Sequence, residues 1–589
     1  MDPKYYSVPE QRPNGGSPQG ADYAPVPPVQ SSQVPVQPTY APAQPSYSPA
    51  QPSCSPAQPV YRPVPPVQAP APRRAACRPA GTRDLVFAGI LAVLCILAAN
   101  FYLWGGLGLA ASVVTVLIFL TGASYLLKHR RKITGYSIYC GLAYVIGAGA
   151  FLISDGGFLH FLLIHVLLAL ATVGMMEVME LRADRDSSFR NAGDFFRTLF
   201  GLTFGNIGAA FYGIFHRKDE KGETKRRKMG APLLGFACAI PVLLIVIPLL
   251  MSSDEAFDNM LGKISGDTVG ELVLSTILGL FAFLLIFSRL FALPKTEKRE
   301  KAPSDFRGMA SVTLCVALAM ISLVYVLYLV SQLAYFFDAF SGLLPDGFSV
   351  AEYARRGFFE MFTVCAINLV LIFLASLLSR KENGKTPLAI RLFSLFFCIF
   401  SLVLISTALS KMFLYIDSFG MTHKRIMTSV FMLFLAVMFL AVGLRLFVPK
   451  VPYMKIGLIT ASLLLIATCY VNVDGMIAEY NVTAYQSHKL EEIDMYTMEE
   501  LDGASAVPWL LELLEDEDRA VRTEAAEQLQ ALFDEAYLVD WEWTGSSYEH
   551  SYRYQPLDWR AYNLAAAKAH QLLWEKRAAF LDAGYIEIS

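Results

Sequence analysis

Across 589 residues, 54% of the chain is hydrophobic and only 17% charged, against roughly 25% charged in a soluble domain, and mean hydropathy is +0.42. A single soluble core cannot hide that much apolar surface, which excludes an ordinary soluble protein. The formal net charge of −2 averages two opposite regions, with 24 acidic and 8 basic residues from Asn472 onward and 27 acidic and 41 basic before it.

The first 80 residues read as a disordered, Pro/Gln-rich cytoplasmic tail. Residues 41–47, 48–54 and 55–61 are near-copies with a seven-residue period, ending on Tyr47, Cys54 and Tyr61. Proline fixes φ and removes donors, so this stretch favours solvated polyproline II. It is either a flexible tether or a multivalent ligand for a proline-binding cytoplasmic partner.

Apolar runs long enough to cross a bilayer, about 20 residues each, follow at 85–104, 107–127, 136–154, 158–176, 231–251, 270–292, 309–334, 357–378, 388–410, 428–448 and 455–471. The predicted fold class is therefore an all-α polytopic membrane protein of about eleven transmembrane helices. A cleaved leader is not expected, because the first apolar run begins late and has full span length. Four helices occupy 81–176, a basic cytoplasmic segment 177–230, seven helices 231–471, and an acidic, mainly helical exterior domain 472–589.

Orientation is read from the loops. Arg73, Arg74, Arg78 and Arg83 precede the first span, Lys128 to Lys132 follow the second, Lys295 to Lys301 the sixth, Arg380 to Lys385 the eighth, and Lys450 and Lys455 lie at the entry to the last. Positive loops stay inside, so the N-terminus is expected in the cytoplasm and the C-terminus outside. The stretch 195–215 is apolar but flanked by basic residues on both sides, so it is expected to be interfacial or re-entrant rather than crossing.

No C-x-x-C pair, Walker loop, H-E-x-x-H, G-x-S-x-G or kinase signature occurs. No catalytic residue, cofactor, metal site or nucleic-acid partner is assigned, and an enzyme is not favoured. Nine cysteines in the tail or in spans read as small buried hydrophobes. Charged or polar residues near the bilayer carry more information. Glu177 and Glu180 close the fourth span, His160 and His165 lack the four-residue spacing of a metal pair, and Asn368 reads as glue between helices. Two stretches place cations outside, against the charge rule, and form the candidate polar cluster: Glu352, Tyr353, Arg355, Arg356 and Glu360 entering the eighth span, and Lys411, Tyr415, Asp417, Thr422 and Arg425 joining the ninth and tenth. Ion pairing within this set, or binding of an anionic headgroup or wall polymer, are its two readings.

Three stretches carry a resemblance: 352–358 (Glu-Tyr-Ala-Arg-Arg-Gly-Phe), 414–425 (Leu-Tyr-Ile-x-x-Phe-Gly-x-Thr-x-x-Arg) and 472–481 (Asn-x-Asp-x-x-Ile-Ala-x-Tyr-Asn). In that order they resemble an uncharacterised bacterial multi-pass membrane family, catalogued as a domain of unknown function numbered four-one-seven-three, over about the fifth span to Leu514. The resemblance implies no activity. Glu479 departs from it, standing where a basic residue would fit the pattern Ile-Ala-Arg-Tyr-Asn.

Beyond the spans, 506–514 and 520–533 read as a helical hairpin similar to one HEAT unit, joined by the acidic turn 515–518. Residues 541–554 read as a hairpin or loop, and 559–580 as a helix begun near Asp558. The acidic turn lacks the spacing of a calcium loop, so only weak cation binding is expected there. Two functions stay open. One is a cell-envelope sensor or scaffold whose exterior domain meets an envelope or wall component. The other is a transporter, flippase or membrane-embedded transferase using polar residues of the later spans.

Overall fold

The computed structural model of the protein describes residues 79–129, 132–153, 156–181, 190–218, 224–226, 266–293, 309–341, 358–380, 386–543 and 548–581, with 246, 250, 253 and 254. The proline-rich tail, nearly all of the expected span 231–251 and the stretch 351–357 lie outside the described residues.

Among the described residues ten helices are long and apolar enough to cross a membrane. They are α1 (Thr82–Trp104), α2 (Leu109–Lys128), α3 (Gly135–Gly149, prolonged by a 3-10 turn Ala150–Leu152) and α4 (Gly157–Val178). After a bent pair come α8 (Gly266–Ala292), α9 (Ser311–Ser341), α10 (Phe358–Leu378), α11 (Leu388–Phe419), α12 (His423–Phe447) and α13 (Tyr453–Tyr470). Each matches an expected span, and the chain is an all-α polytopic membrane protein. The lipid-facing surface is visible on α9, where Val312, Val316, Met320, Leu323, Leu327 and Val330 are all exposed. An apolar side this continuous is stable only against hydrocarbon or another apolar surface.

The bent pair consists of α5 (Arg190–Phe196), a π turn (Arg197–Gly201), α6 (Leu202–Gly205) and α7 (Ile207–Phe215), with a 43° bend at the break. A break in a helix frees backbone groups that lipid cannot satisfy. Here Asn206 Nδ2 donates to the Leu202 carbonyl at 2.7 Å, and Ser288 Oγ of α8 donates to the Thr203 carbonyl at 2.7 Å. The Gly213 carbonyl near the end of α7 accepts from Ala80 N just before α1 (2.8 Å). Ala210 shares a core with Phe87, Met179, Leu181 and Leu293. A short ribbon, β1 (His216–Lys218) with β2 (Thr224–Arg226), follows.

Polar glue appears where it was expected. Fully buried Asn368 of α10 accepts from Tyr325 Oη of α9 at 2.8 Å and donates to Ser401 Oγ of α11 at 2.9 Å. Asn368→Ala should lower the stability of the detergent-solubilised protein by about 1–2 kcal/mol, the range of interhelical hydrogen bonds in membranes. Unchanged thermal unfolding would remove it from the set of helix-joining residues.

After α13 the chain continues as α14 (Val473–Gln486), α15 (Met495–Glu499), α16 (Gly503–Leu513) and α17 (Arg519–Ala536). An antiparallel hairpin β3 (Leu538–Trp543) with β4 (Tyr548–Arg553) and α18 (Leu564–Leu581) complete it. The helical hairpin read at 506–533 is α16 with α17. The last helix begins later than read, because its first turn is capped by Asn563, whose Oδ1 accepts from Ala566 N at 2.8 Å. Asp558 instead holds Arg560 through its backbone N (3.0 Å) and Nε (2.7 Å).

One hydrophobic core joins this region to the spans. It runs from Leu163 and Leu170 of α4 through Ile466 and Cys469 of α13 and Ile477 of α14 to Leu510, Phe533, Leu573 and Phe580. Within it, Tyr537 Oη donates to the His570 carbonyl at 2.6 Å and lies 3.0 Å from His570 Nδ1. Burial is the main cause that pushes the Tyr537 hydroxyl up to about 12 and draws His570 below the ordinary imidazole value. A base whose folded pKa is depressed disfavours the folded state once the unfolded chain takes up its proton. Stability from His570 should be complete above about pH 6.5 and fall as pH drops from there toward its folded pKa. His570→Gln should flatten that part of the pH–stability curve, and an unaltered slope would contradict the assignment.

Candidate functional site

The site lies where the bundle meets α14 and α16. Its first component is the turn between α11 and α12. Hydropathy ends the ninth span at 410, but the helix continues to Phe419, so Lys411, Tyr415 and Asp417 ride on a helical extension and the connecting turn is only 420–422. Gly420 ends the helix with φ +76° and ψ 179°, an extended positive-φ conformation that glycine adopts without strain. Arg425 closes the freed carbonyls, donating from Nη1 to Phe419 O at 2.7 Å and to Gly420 O, while its guanidinium stacks 4.2 Å from the Tyr415 ring. Thr422 caps α12, its hydroxyl accepting from Arg425 N at 3.4 Å.

The second component is α14. Asn472 holds φ +52° at its N-cap, with Oδ1 accepting from Gly475 N at 3.3 Å and lying 3.0 Å from Ser505 Oγ of α16. Asn481, 4% exposed, clamps the α11–α12 turn: Met421 N donates to its Oδ1 at 2.6 Å and its Nδ2 donates to Met421 O at 3.0 Å. A Cβ on Gly420 would stand 2.5 Å from Asn481 Oδ1. Two of the three resemblance stretches therefore meet in space, about sixty residues apart in sequence.

At the centre lies Asp474, 1% exposed, in the first turn of α14, where the helix dipole favours a carboxylate. Its Oδ1 is 2.5 Å from His423 Nε2 at the start of α12. Its Oδ2 packs against the backbone ahead of α4, so that a Cβ on Gly156 would stand 3.0 Å away. Buried His160 of α4 packs against Phe151, with ring centroids 4.9 Å apart and the planes tilted by 56°. His165 faces the other way and bonds to the Phe161 carbonyl at 2.7 Å. Among the described residues no group of three or more His, Cys, Asp or Glu could hold a metal ion. What the arrangement offers is a buried carboxylate–imidazole latch joining α4, α12 and α14.

Of the sequence-selected cluster, Glu352, Tyr353, Arg355 and Arg356 lie outside the described residues. Glu360 is exposed in the first turn of α10. Asp417 pairs with Lys489, which also lies 3.4 Å from Tyr480 Oη, rather than with Arg425, and raises the Lys489 pKa. Arg425 spends its charge on carbonyls and an aromatic face. Glu177 pairs with Lys455 at 2.8 Å. In the acidic turn, Asp518 caps α17 (Oδ1 to Ala520 N, 2.8 Å), Asp516 Oδ1 accepts from Asp518 N at 2.8 Å, and Arg522 donates to the Asp516 and Glu517 carbonyls. Asp474 and His423 were not selected from sequence, although Asp474 stands inside a quoted resemblance stretch.

A second contact lies beside the latch. α2 opens on Gly108, which has no side chain to cap it, so its first donors need other partners. Leu109 N donates to Tyr562 O at 2.8 Å and Ala110 N to Arg560 O at 3.4 Å. In return Ala565 N, in the first turn of α18, donates to Ile153 O at 3.1 Å. Trp559 meets Phe101 edge-on at 5.9 Å. A Cβ on Gly108 would stand 2.5 Å from the Ala561 carbonyl carbon.

No curated protein and no solved structure matches the chain. A family model described as Domain of unknown function (DUF4153) matches residues 140–513, so the similarity starts inside α3, well before the fifth span, ends with α16, and carries the number 4153. It covers more than half of the chain and includes both sides of the latch: this protein is a multi-pass membrane member of the DUF4153 family.

Proposed function

We propose that the protein is a cell-envelope sensor or scaffold, with residues 472–589 as an exterior interaction domain whose state is coupled to the spans. The observation that carries this is the exchange of helix-end hydrogen bonds between α2 and the 560–562 strap and between α18 and Ile153. A domain tethered only for display needs no such exchange, whereas one that passes a load to the bundle does. The shared core and the Asp474–His423 latch support the same reading. In this reading the basic loops and the proline-rich tail face the cytoplasm, where the tail offers a proline-binding partner its ligand, and 195–215 dips into the bilayer without crossing. Its support is that the end of α7 bonds beside the start of α1, while α4 ends in the same core.

The topology is tested by reporter fusions: cytoplasmic after Lys132, Lys385 and Pro449, exterior after Asp258 and at Ser589. A cytoplasmic Ser589 would contradict it. The role is tested by a peroxidase fused at Ser589 in living cells. Enrichment of envelope proteins or wall-linked material over a fusion lacking 472–581 is the expected result. Equal labelling, together with altered solute or lipid flux on depletion, would favour the transporter, flippase or transferase reading. The broken helix at Asn206 is a feature pointing that way.

A further inference from the structure

Arg289 sits three residues before the end of α8 and is only 7% exposed. A guanidinium keeps its charge in proteins and presents five donors. Among the described residues neither its Nε nor its Nη2 finds a hydrogen-bond acceptor. A long cationic side chain near a helix end ordinarily snorkels to water, and this one does not. It lines an open-sided cavity of about 830 Å³ bordered by α2, α3, α4, α8 and the bent pair. None of the described residues lining that cavity is acidic, and most are apolar or aromatic, including Phe119, Leu168, Phe200 and Phe204.

The cavity has a direction. Arg289 lies near the end of the bundle where Leu293, Met179 and Ala80 share a core. Leu168 stands ten residues before the end of α4, about 15 Å deeper at 1.5 Å per residue. One charged group toward that end and a hydrocarbon-lined depth are complementary to an amphiphile with an anionic head. A buried ionisable group in a span calls for a partner, and arginine holds phosphate through paired donors.

We propose that the cavity binds a chain of an anionic membrane phospholipid, its phosphate on Arg289 and its hydrocarbon directed toward Phe119 and Leu168. The π turn at Arg197–Gly201 and the bend at Asn206 place Phe200 and Phe204 along the chain's path. This site is independent of the envelope role proposed above.

The test uses the full-length chain in phosphatidylcholine nanodiscs containing a minor fraction of phosphatidylglycerol with a diazirine in its tail. Photolabel should map to peptides carrying Phe119, Leu168 or Phe200. Arg289→Gln should lower it by about tenfold, the scale of a lost charged hydrogen bond, and Arg289→Lys should retain most of it. Ala171→Phe, which fills the cavity without touching the charge, should also abolish it. Diazirine-tailed phosphatidylcholine, whose phosphate charge is offset by its choline, should label wild type less than phosphatidylglycerol does and lose less of its label in Arg289→Gln, and millimolar inorganic phosphate should leave the phosphatidylglycerol label unchanged. Equal phosphatidylglycerol labelling of wild type and Arg289→Gln, or label confined to outer helix faces, would overturn the proposal. Displacement by inorganic phosphate would overturn it in favour of a soluble anion. Should Arg289→Gln fail to fold, loss of the anionic label in Ala171→Phe decides, and its persistence there would reject the site.

Discussion

Gly108→Val detaches the 559–563 strap from the head of α2. The new Cβ would fall within 2.7 Å of the Ala561 carbonyl oxygen and the Tyr562 carbonyl oxygen, and backbone atoms held by hydrogen bonds cannot yield as a flexible side chain does. Strain from overpacking is about 1–3 kcal/mol, and the lost bonds to Leu109 N and Ala110 N add about 1 kcal/mol each. The total of roughly 3–5 kcal/mol places this among the most damaging single substitutions. Limited proteolysis should then cut between 554 and 564 much faster than in wild type, while the spans stay protected. Gly157→Ala, where an added Cβ meets nothing within 4 Å, is the matched control and should leave the cleavage rate unchanged. Equal resistance of Gly108→Val and wild type would show that the strap does not hold the domain.

His423→Leu leaves the Asp474 carboxylate buried without its imidazole partner. Removing one partner of a buried pair costs about 3–5 kcal/mol, and the His423 side chain is 29% exposed, so solvent relieves part of it and about 2–3 kcal/mol is expected. Asp474→Asn keeps the shape and removes the charge, so it should cost less. In the double variant the two losses should not add, because the interaction is already gone after the first. Thermal unfolding in detergent, followed by tryptophan emission, measures all three. Strict additivity would mean that the imidazole and the carboxylate do not act as a pair.

The spans were legible because lipid imposes a length and a composition on each of them, and hydropathy reads both. It does not read helix ends. Hydropathy cuts the ninth helix at 410, where Lys411 enters, although the stop is Gly420, a glycine with positive φ that the sequence displays openly. An acid ahead of an apolar run reads as a cap, which puts the expected start of α18 at Asp558. That acid is engaged by Arg560, and the intervening residues are held by α2, a partner more than 400 positions away. The latch was illegible for a related reason. His160, His423 and Asp474 belong to three helices far apart in sequence, and nothing local marks the carboxylate of Asp474 as buried. Arg289 was open to discovery, since a cation within an apolar span demands a partner wherever it occurs.

Cysteine cross-linking across the junction tests the central claim, that the C-terminal helices are built onto the bundle. In a full-length chain with its nine native cysteines replaced, Ile153→Cys and Ala565→Cys place two thiols at positions joined by a 3.1 Å backbone hydrogen bond, within reach of a disulfide. In native membranes, mild oxidation should join them rapidly and nearly completely, whereas a pair of Ile153→Cys with exposed Tyr496→Cys should not react. Failure of the 153–565 pair to cross-link, with both thiols reactive toward a soluble maleimide, would contradict the account.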